Sequence, residues 1–292
     1  MLVLLVAQIF RGFCMGAADV VPGVSGGTIA LVLGIYERLL GTVRHGASIL
    51  GNAARLDARA ALRRLRQLDW PFLIPLLLGI GGAIVILARP IEHLLEEQPI
   101  EMAAGFFGLV LASIAVAWDG LRARDGRRLL VMAAVGAVTF AVLGFRSGTV
   151  SDPAIWFVFV SGLIAVCAMI LPGVSGSFLL LMLGMYDYII DAVNERDLLT
   201  LAVFLVGGVA GLASFSSLLH AMLRRYHDTV LAALIGLMAG SLRVLWPWPG
   251  GVETTSLGAP EWSQVPPALA ITFAAAAVVI ALTGWSRRVR TR

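Results

Sequence analysis

The sequence predicts an all-α polytopic membrane protein of two inverted-topology repeats, each a hairpin broken at P-G-V-S-G plus about three transmembrane helices; the glycines and proline at the break favour a re-entrant hairpin over one that crosses fully. Composition is the first reason. The 292 residues are 59% hydrophobic and 14% charged with a mean hydropathy of +0.90, which leaves too little polar surface for a water-soluble globule. The second is a duplication: residues 20–40, VVPGVSGGTIALVLGIYERLL, recur 150 residues later as ILPGVSGSFLLLMLGMYDYII, with nine of 21 positions identical. The third is an alternation of charge along the connections, described below. Residues 1–150 form the first repeat and 151–292 the second, within one integral membrane bundle.

Apolar segments lie at 2–19, 24–43, 70–88, 101–118, 129–145, 154–171, 174–190, 200–222, 229–246 and 266–285. Several approach the ~20 residues that a helix needs to cross hydrocarbon. The opening MLVLLVAQIFRGF has neither a charged leader nor a small-residue cleavage site, and reads as a retained helix. At the start of the segments at 24–43 and 174–190, Pro22-Gly23 and Pro172-Gly173 with the glycines that follow interrupt apolar sequence. Such breaks are tolerated at membrane depth where backbone is buried by protein or lines a cavity, which is transporter logic. The 32 glycines suit close helix contacts in lipid.

The positive residues are 22 arginines without a lysine, which excludes lysine Schiff-base chemistry and a Walker phosphate loop. They mark topology instead. The stretch 44–69 carries Arg44, Arg55, Arg59, Arg63, Arg64 and Arg66, the stretch 119–128 four arginines, 224–228 Arg224 and Arg225, and the end of the chain Arg287, Arg288, Arg290 and Arg292. These face the cytoplasm by the positive-inside rule, so both termini are cytoplasmic. The stretch 89–101 holds Glu92, Glu96, Glu97 and Glu101 against one arginine, 187–197 is net acidic, and 146–153 and 247–265 are poor in arginine; these face the periplasm. Three crossings between 44–69 and 146–153 bring the second hairpin in from the side opposite the first, so the repeats are inverted.

All seven tryptophans, Trp70, Trp118, Trp156, Trp246, Trp248, Trp262 and Trp285, fall at segment ends or in the 247–265 connection beside them, as an aromatic belt does. Arg55, Arg59, Arg63 and Arg66 share one side of a helix over 53–66, a lipid-surface helix or a topology signal. No basic-aromatic face points to nucleic acid. Cys14 and Cys167 are unmatched between the repeats and read as packing residues, and the four histidines have no metal spacing.

The P-G-V-S-G breaks supply what an anion needs: glycines that admit a ligand to the backbone, first-turn N–H groups, and hydroxyls. Gly23, Ser25, Gly26, Gly27 and Thr28 in the first copy and Gly173, Ser175, Gly176 and Ser177 in the second are candidate phosphate-binding residues. Arg11, inside the first apolar segment, is the candidate for direct charge compensation, with snorkelling to the surface as the plainer alternative. Asp19 is a candidate for proton or monovalent-cation coupling or for holding the loop; Met169 stands at its place in the second copy, so the halves are unequal. Glu37 and Asp187 follow Tyr36 and Tyr186 at equivalent positions, as gating or coupling groups or as surface anchors. No cofactor is implied.

Two other functions fit parts of this pattern. A small-anion channel or transporter would use the same cradle. Gly23-Val24-Ser25-Gly26 also matches the G-x-S-G turn of rhomboid intramembrane proteases, which need a base such as His220 within reach of the serine; duplication of the serine argues against a nucleophile.

The run Gly16 to Thr28 with Gly34-Ile35-Tyr36-Glu37, and Leu171 to Phe178 with Gly184-Met185-Tyr186-Asp187, resemble the bacterial polyprenyl-phosphate transporter family, formerly a family of unknown function. The resemblance spans essentially the whole chain. It implies a transporter, not an enzyme: a flippase of the bacterial inner membrane that carries undecaprenyl phosphate from the periplasmic to the cytoplasmic leaflet, recycling the lipid carrier for cell-wall synthesis. The polyprenyl tail is too large for a pocket and would stay in lipid, which requires a lateral opening between the halves. Partners are then the lipid phosphate and membrane lipid; oligomeric state is open.

Overall fold

The computed structural model describes residues 2–21, 23–54, 57–145, 148–150, 152–251 and 256–290. Pro22, Arg55 and Arg292, on which expectations above rest, lie outside these, as do the side chains of Arg287, Arg288 and Arg290. All regular structure among the described residues is helical: α1 Leu2–Asp19, α2 Gly26–Val32, α3 Tyr36–Ala54, α4 Ala58–Arg66, α5 Trp70–Glu97, α6 Pro99–Asp119, α7 Gly126–Val142, α8 Ile155–Ile170, α9 Gly176–Met182, α10 Tyr186–Asn194, α11 Leu198–Ser241 and α12 Val265–Arg290.

Among the described residues α5, α6, α11 and α12 are long and apolar enough to cross a membrane, so the protein is a multi-pass membrane protein. At 1.5 Å per residue α11 would run about 66 Å, twice the ~30 Å of hydrocarbon. It does not run straight: Tyr226 has non-helical φ −133° and ψ 44° and divides it into arms at 198–225 and 227–241, close to the two apolar segments expected. Helices α9 and α10, at seven and nine residues, are each too short to span, and their axes are bent by 110°.

The duplicated sequence has a duplicated backbone. Gly23 and Gly173 have φ of +84° and +85°, and Gly34 and Gly184 of +67° and +69°, a region that a side chain disfavours. The repetition extends beyond the hairpins. Gly12 meets the Leu76 carbonyl and Gly79 that of Ile9 where α1 crosses α5; Gly162 meets the Phe204 carbonyl and Gly207 that of Phe159 where α8 crosses the first arm of α11. In each pair the missing side chains let two backbones touch. Likewise Gly108 of α6 lies on the Thr272 carbonyl of α12, and Gly236 of α11 on the Met132 carbonyl of α7. So α6 packs on α12 and α7 on α11, each joining residues of the first 150 to residues of the last 142.

Two helix ends and the placement of two tryptophans differ from the expectation. Helix α3 continues past the apolar residues to Ala54, and α4 at Ala58–Arg66 covers most of the helix expected over 53–66. Its polar face is tied down: His45 Nε2 bonds the Arg64 carbonyl at 3.0 Å, and Arg64 Nη1 donates to Ser48 Oγ at 3.0 Å. Helix α5 runs through Pro90 to Glu97, and Gln98 alone separates it from α6. Proline there removes one hydrogen bond without ending the helix. Trp246 and Trp248 do not belong to a lipid-facing belt. Their rings pack edge to face at 5.3 Å, Trp248 Nε1 donates to Gln264 Oε1 and Trp246 Nε1 to the Gly258 carbonyl, so they anchor the 247–265 connection to a small core with Ala104 and Ala268. Outside the spans, Asp197 caps α11, and the Thr200 hydroxyl and amide hold its carboxyl below the usual carboxylate range.

Candidate functional site

The two breaks meet in the interior, joined by three hydrogen bonds between residues about 140 apart in sequence. Thr28 Oγ1 accepts from the Gly173 amide at 2.8 Å, Ser25 Oγ donates to the Met169 carbonyl at 3.2 Å, and the Tyr36 hydroxyl donates to the Ile170 carbonyl at 3.0 Å. Each satisfies backbone that the break exposes, where α8 ends at Ile170 and cannot continue through Pro172. Gly23 lies on Val244 and Leu245, and Gly173 on Met238 and Ser241, so the second arm of α11 and the residues after it back both breaks.

The halves differ where sequence says they must. Asp19 Oδ1 accepts from the Gly26 amide at 2.6 Å, and Ser25 Oγ, as N-cap of α2, accepts from Gly27 N at 3.1 Å. The start of α2 therefore already holds an anionic group supplied by the chain. At the equivalent start of α9 the residue matching Asp19 is Met169, and Ser175 makes no side-chain cap bond; its hydroxyl pairs with Ser177 Oγ at 2.8 Å. A cavity of about 260 Å³ opens there, lined by Asp19, Ser25, Ser175, Gly176 and Ser177 among apolar residues of α8, α9 and α11. Ligand pockets run about 300–1,000 Å³, so this volume suits a headgroup and excludes a polyprenyl tail.

Of the candidate phosphate-binding residues, Ser25, Ser175, Gly176 and Ser177 line this cavity, joined by Asp19. Gly26, Gly27 and Thr28 are instead committed to bonds within the protein, and Gly23 and Gly173 to packing. Arg11 is not placed with the serines. It is buried, at 5% exposure, and its Nη2 donates at 3.2 Å to Ser286 Oγ of α12, whose hydroxyl donates at 3.0 Å to the Leu33 carbonyl at the far end of α2.

Ser286 in turn lines a second cavity of about 590 Å³ with the α2–α3 turn, Glu37, Arg38, the end of α6 at Asp119, and His227. At its mouth Glu37 Oε1 stands 3.5 Å from His227 Nε2, whose Nδ1 is 3.0 Å from Asp228 Oδ1. Asp228 also accepts from the amides of Arg122 and Ala123, tying the α6–α7 connection to the break in α11. Arg38 pairs with Asp69 at 2.7 Å over the Phe72 ring. Glu37 thus has a partner at a cavity mouth, whereas Asp187 is exposed in the first turn of α10. Sequence reasoning missed Ser286, His227 and Asp228, because their importance depends on contacts between distant segments.

The serine-protease geometry is absent from this site. Ser25 Oγ is engaged with Met169 and Gly27, whereas His220 lies against Gly41 of α3. Among the described residues no group of histidine, cysteine and carboxylate is arranged to hold a metal ion.

Residues 15–260 match the VCA0040-like family, described as undecaprenyl phosphate translocase-like. A polyprenyl-phosphate transporter of Vibrio cholerae is 43% identical over 240 residues, covering 82% of this chain and 76% of that protein. A polyprenyl-phosphate transporter of Staphylococcus aureus is 31% identical over 260 residues, covering 82% and 86%. No solved structure matches. These relatives are named as transporters, not enzymes. The chain belongs to the undecaprenyl phosphate translocase-like family.

Proposed function

We propose that the protein carries a polyprenyl phosphate, undecaprenyl phosphate above all, from the periplasmic to the cytoplasmic leaflet of a bacterial inner membrane, returning the carrier for envelope synthesis. The observation that carries this reading is the small cavity at the junction of the two breaks, which sets Asp19 and the Ser25, Ser175 and Ser177 hydroxyls in otherwise apolar walls, in a protein whose relatives are named polyprenyl-phosphate transporters. A phosphate cannot cross hydrocarbon unpaired. Ser175, Ser177 and Gly176 offer donors to it, and Asp19 faces it as the coupling group: a proton on Asp19 removes the like charge that would otherwise repel the headgroup.

The two cavities give the headgroup successive polar stations. It leaves the serines for the wider cavity lined by Ser286, where Arg11 lies behind that hydroxyl and offsets negative charge. Glu37 at that mouth gates release, and Asp187 takes the corresponding place in the second hairpin. The arginine-rich α3–α4 side is cytoplasmic and the acidic end of α5 periplasmic, which makes the halves inverted and the bent α9–α10 pair re-entrant.

Reconstituted protein should bind undecaprenyl phosphate and be competed by shorter prenyl phosphates but not by neutral polyprenol. Equal competition by inorganic phosphate alone would favour a small-anion carrier.

A further inference from the structure

A third cavity, of about 520 Å³, lies between α7 and the two arms of α11. Its walls are apolar, from Val131 and Val135 of α7 to Leu218 and Met222 of α11, and Arg127 is the one charged residue that lines it. It exists because α11 breaks at Tyr226, a groove-lining residue that is 53% exposed. Helix α7 is held against the second arm by backbone contact at Gly236 and Gly240.

Two connections set this groove apart from other apolar surface. Leu171, the residue before Pro172 of the second break, lines one part of it, and Leu234 lines both this groove and the 590 Å³ polar cavity. Leu234 is 3% exposed, and its side chain lines both the chamber that holds Glu37, Arg38 and His227 and the apolar slot. The slot also lies where α7 of the first half meets α11 of the second.

Resting on the transport reading above, we propose that this groove seats part of the isoprenoid chain of the lipid phosphate, the remainder staying in lipid, while its headgroup occupies the 590 Å³ cavity, with Leu234 as the lateral gate between them. An amphipathic ligand needs adjoining polar and apolar volumes, and the groove, apolar where the 590 Å³ cavity carries Glu37, Arg38, Asp119 and His227, supplies the apolar one for part of the chain. The groove holds that part of the chain beside the headgroup, and Arg127, which lines it, favours an anionic lipid. Movement of the Leu234 side chain opens the passage without separating the helices.

The test uses the full chain in vesicles of phosphatidylethanolamine and phosphatidylglycerol. With benzoylphenylalanine at Met222, light should cross-link undecaprenyl phosphate, and excess undecaprenyl phosphate should compete at least tenfold better than excess phosphatidylglycerol. Val135→Trp and Ala233→Trp, which fill the groove, should each weaken undecaprenyl phosphate binding about tenfold and leave binding of geranyl phosphate unchanged. Retained geranyl phosphate binding also reports that each variant is folded; if neither folds, the cross-link alone decides. Equal competition by phosphatidylglycerol makes the groove an ordinary lipid contact and overturns the proposal, as does full-strength undecaprenyl phosphate binding by both folded variants. If the wild type binds neither prenyl phosphate, the transport reading itself falls.

Discussion

Thr28→Val removes the hydroxyl that accepts from the Gly173 amide while nearly preserving side-chain shape. Thr28 is fully buried, and the bond, at 2.8 Å, crosses from one break to the other. The substitution leaves a buried N–H without its acceptor, which costs about 1–3 kcal/mol, whereas trading two bonded groups together would cost far less. Thr28→Ser keeps the acceptor and loses one methyl, worth about 0.8 kcal/mol if fully transferred. Unfolding in mixed micelles by titration with sodium dodecyl sulfate should therefore rank wild type above Ser and Ser above Val. Tyr36→Phe, which frees the Ile170 carbonyl, should cost about 1 kcal/mol, and the double variant Thr28→Val with Tyr36→Phe should depart from additivity, since both bonds clamp the same turn. If Thr28→Val is as stable as wild type while Thr28→Ser is weaker, the hydroxyl does not join the breaks and the reasoning fails.

Asp19→Asn weakens the cap on Gly26 by about 1 kcal/mol, a charged acceptor becoming neutral, and should flatten the pH dependence of transport; an unchanged profile measured in proteoliposomes would remove Asp19 from coupling. Asp228→Ala should raise hydrogen exchange at the Arg122 and Ala123 amides, the two it accepts from, and unaltered exchange there would refute that tether. Asp197 has a depressed carboxyl pKa, so its contribution to folding is present above the unfolded value of about 3.9 and is lost as pH falls through the lower folded value; Asp197→Asn should remove that pH-dependent component from acid unfolding curves. Single cysteines within 59–66 should label from the cytoplasm and within 92–97 from the periplasm. Labelling of both from one face would contradict the inverted arrangement.

Much of the architecture was legible because lipid imposes simple rules. The bounds of α1 coincide with the first apolar run, and Arg224 and Arg225 marked a turn that the structure realises as the Tyr226 break. Proline and glycine announced the breaks, and duplication showed that they mattered. Polar sequence was harder: α3 beyond Thr42 carries no continuous apolar run, whereas the spacing of Arg59, Arg63 and Arg66 announced α4, which Arg64 ties to Ser48 of α3. The site was legible in composition but not in arrangement. Asp19 was marked by its missing counterpart Met169, yet nothing local says that it reaches Gly26 across the turn. Thr28 carried a hydroxyl that sequence assigned to a ligand, and the fold gives it to Gly173. Arg11 needed a partner in lipid, and that partner, Ser286, lies 275 residues away.

The central claim is that the serines between the breaks receive the lipid's phosphate, and affinity of reconstituted protein for undecaprenyl phosphate, with and without Ser175→Ala and Ser177→Ala, tests it most directly. Hydrogen bonds to a charged group contribute about 1.5–3 kcal/mol each, or roughly 10- to 150-fold in Kd. The double variant should therefore lose at least tenfold in affinity while remaining folded, and wild type should ignore neutral polyprenol. Wild-type affinity in the double variant, or equal binding of the neutral polyprenol, would contradict the account.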